Sequence, residues 1–130
     1  MAEKCRAGGA GIAAFYTPTG VGTQIQEGGF PIKLGPNGET VIPSKPRELR
    51  VFNGKEYIME ESLTGQFAFI KAWRADEAGN VQFRKSARNF NQDMATAGKI
   101  CIVEAEEIVP TGSLDPDNIH LPSVFVNRLI

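Results

Sequence analysis

Histidine occurs once in these 130 residues, at His120, tryptophan once, at Trp73, and cysteine twice, at Cys5 and Cys101. So few imidazoles and thiols supply neither a zinc set nor a disulfide framework, and a metal cage is not expected. The two cysteines read as buried thiols in a reducing compartment. Charge of either sign is not in excess: 14 Lys and Arg face 15 Asp and Glu, a formal net charge of −1. No basic field invites nucleic acid or an anionic membrane surface, and the cations are scattered rather than clustered. Long hydrophobic runs are missing too. Ile12–Tyr16 and Phe67–Ile70 fall far short of the ~18 residues a membrane span needs. The first residues, "MAEKCRAGG", have charge but no apolar stretch, so they do not read as a secretory signal. They form a helix-prone start with no cap before it, which reads as a boundary inside a longer protein.

What is present is an ordinary globular composition, 42% hydrophobic and 22% charged, with its glycine unevenly spread. Nine of the 14 glycines fall in the first forty residues, so the first third is expected to be loop-rich. Ala2–Ala7 suits a helix with Gly8 or Gly9 as the left-handed residue after its end. Gly20 to Pro46 reads as turns and short extended pieces, with "GPNG" at Gly35–Gly38 a strong turn. Asn53-Gly54 between Leu49–Phe52 and Glu56–Met59 is the signature of a two-residue type I′ hairpin. Phe67–Trp73 reads as a buried strand, "DEAGN" at Asp76–Asn80 as a turn, and Ile100–Val103 as a second continuous apolar strand. Asn91 is the expected N-cap of a short helix over Gln92–Ala97 with Gly98 beyond it. "VFVNRLI" closes with a strand. Apolar strands joined by helical and irregular segments predict an α/β fold: part of an open, parallel-rich sheet domain with a β-hairpin insertion near Leu49–Met59.

Several patterns bear on chemistry. "GAGIAA" at Gly9–Ala14 matches the dinucleotide fingerprint by spacing, but that fingerprint needs a strand before it and a helix after it. Here a helix precedes, and Pro18 stops any helix that follows. Glu104, Glu106 and Glu107 follow an apolar strand and could face a site or be a solvated strand end; Glu60 and Glu61 end the hairpin and read as solvated. Asp115 and Asp117 flank Pro116, which favours a turn or helix start over a calcium loop. His120 has no nearby serine or cysteine that the sequence nominates as a nucleophile. "KSARNFN" sets Lys85, Arg88, Asn89 and Asn91 within seven residues, a cluster that could bind carboxylate or phosphate oxygens or equally cap the next helix.

Three long blocks, "KCRAGGAGIAAFYTPTGVGTQIQEGG", "KAWRADEAGNVQFRKSARNFN" and "EEIVPTGSLDPDNIHLP", closely resemble the α-type (amino-terminal) half of family I CoA-transferases, in that family's order and over essentially the whole chain. The segment Phe30–Arg50 favours the branch that moves CoA from succinyl-CoA to a 3-oxoacid such as acetoacetate. The resemblance implies double-displacement transfer through an enzyme glutamyl-CoA intermediate, with coenzyme A a substrate and no cofactor. It implies a β-type half as partner, a homodimer of the longer protein, and a mitochondrial matrix or bacterial cytoplasmic setting. The nucleophilic glutamate of the family belongs to the β-type half. The glutamine of its oxyanion site lies upstream of the first block, and Gly28-Gly29-Phe30 imitates a family signature without the apolar run that should precede it. Residues 1–130 are therefore expected to be a fragment of the α-type domain with no catalytic residue of its own. Phe15, Tyr16, Thr17, Thr19 and Gly20 are expected to form a wall of the acyl-binding cleft. The alternative reading is a non-enzymatic α/β module that binds a ligand or protein through the glycine-rich loop.

Overall fold

A computed structural model describes residues 1–130. In chain order the elements are α1 (Ala2–Gly9), β1 (Ala14–Thr17), α2 (Gln24–Glu27), β2 (Pro31–Leu34), β3 (Thr40–Pro43), β4 (Leu49–Phe52), β5 (Lys55–Glu61), β6 (Gly65–Asp76), β7 (Val81–Gln82), α3 (Asn91–Ala97), β8 (Gly98–Val109) and β9 (Arg128–Leu129). Short 3₁₀ turns cover Lys85–Arg88, Pro116–Asn118 and Ser123–Phe125. The chain divides into two units, one of Met1–Ala13 with Ser62–Ile130 and one of Ala14–Glu61. The expected hairpin is thus one part of a larger inserted unit.

The first unit is built on a four-stranded mixed sheet in the order β7-β6-β8-β9. β6 and β8 run parallel in continuous register from Gly65↔Gly98 to Asp76↔Val109, and β9 continues parallel to β8. One face is small and apolar: Ala68, Ile70, Ala72, Cys101 and Val103 are buried there with Ala95 of α3. Small residues let a helix lie close, and the packing is tight enough that a Cβ on Gly98 would sit 2.7 Å from the Cβ of Ala68. The α/β class is as expected, with parallel pairing confined to this sheet. β6 is not buried throughout. Its residues alternate, and Phe67 and Phe69 are 56% and 72% exposed on the other face, because a strand covered on one side must send every second side chain outward. The acidic strand end is also corrected. β8 continues through Glu104, Glu106 and Glu107, which pair with Lys71, Arg84 and Arg74 at 2.6 Å each. The last strand is only Arg128–Leu129, since Ser123–Phe125 turns instead.

α1 ends in a Schellman motif at Gly11, not at Gly8 or Gly9. The Ile12 N–H donates to the Ala7 carbonyl at 2.9 Å and the Gly11 N–H to the Gly8 carbonyl at 3.3 Å, with Gly11 at φ +73°. Gly8 and Gly9 lie inside the helix for a different reason. A Cβ on Gly8 would meet the Leu63 carbonyl oxygen at 2.0 Å, and one on Gly9 the Thr96 Oγ1 at 1.9 Å. The other helix is also shifted by a residue: Phe90 is the N-cap of α3 and Asn91 its first residue. The Asn91 Nδ2 donates back to the Ala87 carbonyl at 2.7 Å instead of capping.

The second unit carries an antiparallel sheet in the order β1-β5-β4 and a separate β2-β3 hairpin. Asn53 and Gly54 have φ of 49° and 74°, the pair of positive values a type I′ turn demands. Gly35–Gly38 closes β2-β3, with the Gly38 N–H donating to the Gly35 carbonyl at 3.1 Å.

Candidate functional site

A concavity lies in the second unit, where the turn after β1 meets α2 and the β2-β3 hairpin. Its volume is about 620 Å³. Ile25, Phe30 and Ile32 supply apolar wall, Thr19, Gly20 and Ser44 supply polar edge, and Arg47 is the one charged residue in the lining. Apolar walls with a few convergent polar groups are the usual make-up of a small-molecule site.

Local hydrogen bonds set the turn. The Thr19 N–H donates to Thr17 Oγ1 at 3.2 Å, and the Val21 N–H to the Pro18 carbonyl at 3.3 Å. Thr23 caps α2 through its Oγ1, which accepts from the Ile25 N–H at 3.2 Å and donates to the Gly20 carbonyl at 2.7 Å. Gly20 has no substitute: its φ is +96° and a Cβ would sit 3.0 Å from Ile58 Cδ1. The glycine-rich loop thus takes its shape from bonds within itself and α2. Arg47 is fixed at both ends. Its N–H donates to the Gln26 carbonyl at 2.9 Å, and its guanidinium lies 3.5 Å from the Glu60 carboxylate while its side chain stays 33% exposed.

The five expected wall residues separate in the structure. Thr19 and Gly20 line the pocket. Phe15, Tyr16 and Thr17 lie on β1, paired with β5 opposite Glu60, Met59 and Ile58. The Tyr16 hydroxyl donates to the Glu48 carboxylate at 2.6 Å. That bond raises the phenol pKa and lowers that of Glu48, and it engages the hydroxyl of one of the expected wall residues. Arg50 completes the cluster, over the Tyr16 ring at 5.1 Å and 2.7 Å from Glu48. Sequence reasoning missed Arg47, Phe30, Ile32 and Ser44 as pocket residues. The apolar residues of "FPIKL" carried a readable signal, whereas nothing local marks Arg47.

In the first unit, His120 has a structural role. Its Nδ1 accepts from the Phe83 N–H at 2.9 Å and its ring stacks on Phe83. Burial and the nearby Arg88 charge hold its pKa below the ordinary value. Asp115 caps its 3₁₀ turn, accepting from the Asp117 N–H at 3.1 Å. Cys101 is buried, which raises its thiol pKa, and Cys5 is buried as well. No group of three or more His, Cys, Asp or Glu converges to hold a metal, and no helix is long and apolar enough to cross a membrane.

Residues 1–130 match the family model of coenzyme A transferase. The chain is 52% identical over 130 residues to succinyl-CoA:3-ketoacid coenzyme A transferase 2A, mitochondrial, of Rattus norvegicus, covering 100% of this chain and 25% of that protein. It is 52% identical over 129 residues to one of the subunits of succinyl-CoA:3-ketoacid coenzyme A transferase from Helicobacter pylori, covering 99% of this chain and 48% of that one. The chain therefore spans a quarter to a half of these relatives. Its fold is similar to that of an Escherichia coli acyl-CoA transferase apoenzyme, with a TM-score of 0.77 at 22% identity over 98% of this chain and 25% of that one. Glutaconate coenzyme A-transferase from Acidaminococcus fermentans gives 0.74 at 18% identity, over 98% of this chain and 42% of that one.

Proposed function

The chain belongs to the coenzyme A transferase family, and from that premise we propose that it is the second part of an α-type half that moves CoA from succinyl-CoA to a 3-oxoacid. The β-type half is its partner and supplies the nucleophilic glutamate that carries the glutamyl-CoA thioester, a covalent route in which a carboxylate displaces CoA and returns it to the acceptor acid. None of residues 1–130 attacks the acyl group. The working enzyme is a homodimer of the longer protein, in the mitochondrial matrix or, if the source is bacterial, in the cytoplasm.

The observation that carries this reading is the pocket in the Ala14–Glu61 unit, apolar in its walls with Arg47 as its only charge. Succinyl-CoA and a 3-oxoacid share a short acyl body and a free carboxylate. An apolar wall takes the body, and a guanidinium takes the carboxylate in paired hydrogen bonds. Thr19 and Gly20 bring hydroxyl and backbone close to the ligand, and Phe15–Thr17 hold the turn on β1.

The test is CoA transfer from succinyl-CoA to acetoacetate, with this chain alone and with the chain restored to a full α-type half and combined with a β-type half. The expected outcome is no turnover alone and turnover on reconstitution. In the reconstituted enzyme Thr19→Val lowers kcat/KM by about 5- to 20-fold, the loss of one hydrogen bond to substrate. Turnover by the isolated chain overturns the division of labour, and an unchanged kcat/KM in Thr19→Val removes the wall.

A further inference from the structure

Asn-Gly occurs twice, at Asn37-Gly38 and Asn53-Gly54, each between the strands of a hairpin. The dipeptide is a reactive setting for an asparagine amide, because glycine has no Cβ to shield its N–H. The glycine nitrogen attacks the asparagine Cγ, and a C–N bond forms. The Cγ–Nδ2 bond breaks, and ammonia leaves with the proton of the glycine amide. Water then opens the succinimide ring at either carbonyl, giving aspartate or isoaspartate. Water is the only co-reactant, and nothing is oxidised or reduced. A Cβ on Gly38 or Gly54 would meet nothing within 4 Å, so both tips have room for the ring. Reactivity then depends on how readily each tip lets the two atoms meet.

Asn53 and Gly54 form the type I′ turn, with φ of 49° and 74°. The first central residue of such a turn has ψ of about +30°, which sets its Cβ nearly anti to the next nitrogen across the Cα–C bond. Attack therefore requires the turn to unwind. β5, which leaves this turn, is paired on both sides, with β1 and with β4, and its Ile58 is fully buried. Phe52, directly before Asn53, lies edge-on to the Tyr16 and Tyr57 rings at 5.1 and 5.6 Å. Opening this tip pulls on an aromatic cluster and a three-stranded sheet.

Asn37 stands third in the turn Gly35–Gly38, after Pro36, and its φ is not positive, as a type I turn requires. Two bonds hold this tip. The Gly38 N–H donates to the Gly35 carbonyl at 3.1 Å, and the Asn37 N–H to Glu39 Oε2 at 3.1 Å. Both lie within the turn itself. Behind it, β2 and β3 pair only with each other. Every residue of both strands is exposed, and the register shifts on either side of Lys33. A lone two-stranded hairpin is marginally stable in water, and such a segment opens at lower cost than a packed sheet. We infer that Asn37 is a deamidation site of the folded protein and that Asn53, in the same dipeptide, is protected by its turn and its sheet. The product sets a second carboxylate in the turn that holds Glu39. Isoaspartate also lengthens the main chain by a methylene, which disrupts the closure between Gly35 and Gly38. Phe30 and Ile32, at the base of this hairpin, wall the apolar pocket, so modification at its tip loosens that wall. The site itself does not rest on the function proposed above.

The whole chain is aged in mildly alkaline buffer, once folded and once in concentrated guanidinium chloride, and sampled at intervals. Trypsin separates the two sites, because Lys33 and Arg47 flank Asn37 while Arg50 and Lys55 flank Asn53. Mass spectrometry counts the conversion of amide to acid in each peptide, and methylation by an isoaspartyl methyltransferase reports the isoaspartate. The denatured chain gives the intrinsic ratio of the two rates. Folding is expected to raise the ratio of the Asn37 rate to the Asn53 rate by at least about 10-fold, since only the Asn53 tip is tied to a packed sheet. Isoaspartate is expected to accumulate in the Asn37 peptide of the folded chain. A ratio that folding leaves unchanged or lowers overturns the inference. So does a folded chain in which neither peptide converts while both convert in the denatured one.

Discussion

Asp76 shows at the residue scale what a buried charge can do in a chain with no metal cluster to hold it. It ends β6 with 1% of its surface exposed. Its carboxylate accepts from the Asn80 N–H at 2.8 Å and the Asn80 Nδ2 at 3.0 Å. Burial alone would raise its pKa, but these bonds, with those from the Gly112 and Ala78 backbone, outweigh it and hold the pKa below the ordinary value. The folded state therefore binds this proton less readily than the unfolded chain. The stability it contributes is full above the unfolded value of about 4 and is lost as pH falls through the depressed one. Asp76→Asn cannot accept at both oxygens and buries a new amide. It is expected to cost about 1–3 kcal/mol near neutral pH and to flatten the acid limb of Tm against pH below about 4. An unchanged Tm at pH 7, or an acid limb as steep as the parent's, would remove Asp76 from this role. "DEAGN" announced the turn, and Gly79 at φ +94° agrees. Nothing in it announced that Asp76 would be buried, because Gly112 arrives from a distant part of the chain.

Glycine separates what is legible in an element from what is not. Asn53-Gly54 was readable because a type I′ turn is a local demand on two φ angles. Gly8 and Gly9 were misread as helix stops because their demand is imposed from outside, by Leu63 and Thr96. The two kinds of glycine respond differently to alanine. Helix propensity alone makes Gly8→Ala stabilising by up to about 1 kcal/mol. The 2.0 Å approach to the Leu63 carbonyl makes it destabilising instead, by about 1–3 kcal/mol for overpacking against backbone. Gly11→Ala meets open space, so only the left-handed conformation is charged against it, about 1–2 kcal/mol. Chemical denaturation of both variants checks this, and a stabilised Gly8→Ala would show that α1 and the Leu63 segment move apart freely. The same distinction explains the candidate site. Pro18 was legible as a helix stop from its own chemistry, and Thr19 and Gly20 were named only through the family resemblance, whereas Arg47 joins the pocket through its backbone bond to Gln26, which no local pattern encodes.

For the whole molecule, the chain forms two units, and an insertion that returns to its starting point as β1 and β5 do leaves no mark on composition. Strand burial was misjudged at the same scale. Apolar content alone cannot tell a strand covered on both faces from one whose outer face is apolar and open. In β6 and β8 the outer face is open: Phe67 lies opposite Ile100 and Phe69 opposite Ile102 in the parallel register. The two phenyl rings stack at 6.3 Å, and Ile130 adds an end residue that is 65% exposed. Exposed apolar groups this close together favour association in water. The chain in isolation is expected to self-associate as its concentration rises in sedimentation velocity. Phe69→Lys removes one large ring from each copy at a position 72% exposed, where it contributes little to folding. Burying a phenylalanine side chain is worth about 2 kcal/mol, so the substitution should weaken association by about 30-fold or more while the thermal melt of the monomer stays within a degree or two. A parent chain that sediments as a monomer throughout, or a Phe69→Lys chain that associates as strongly as the parent, would mean that this face is not what brings copies together.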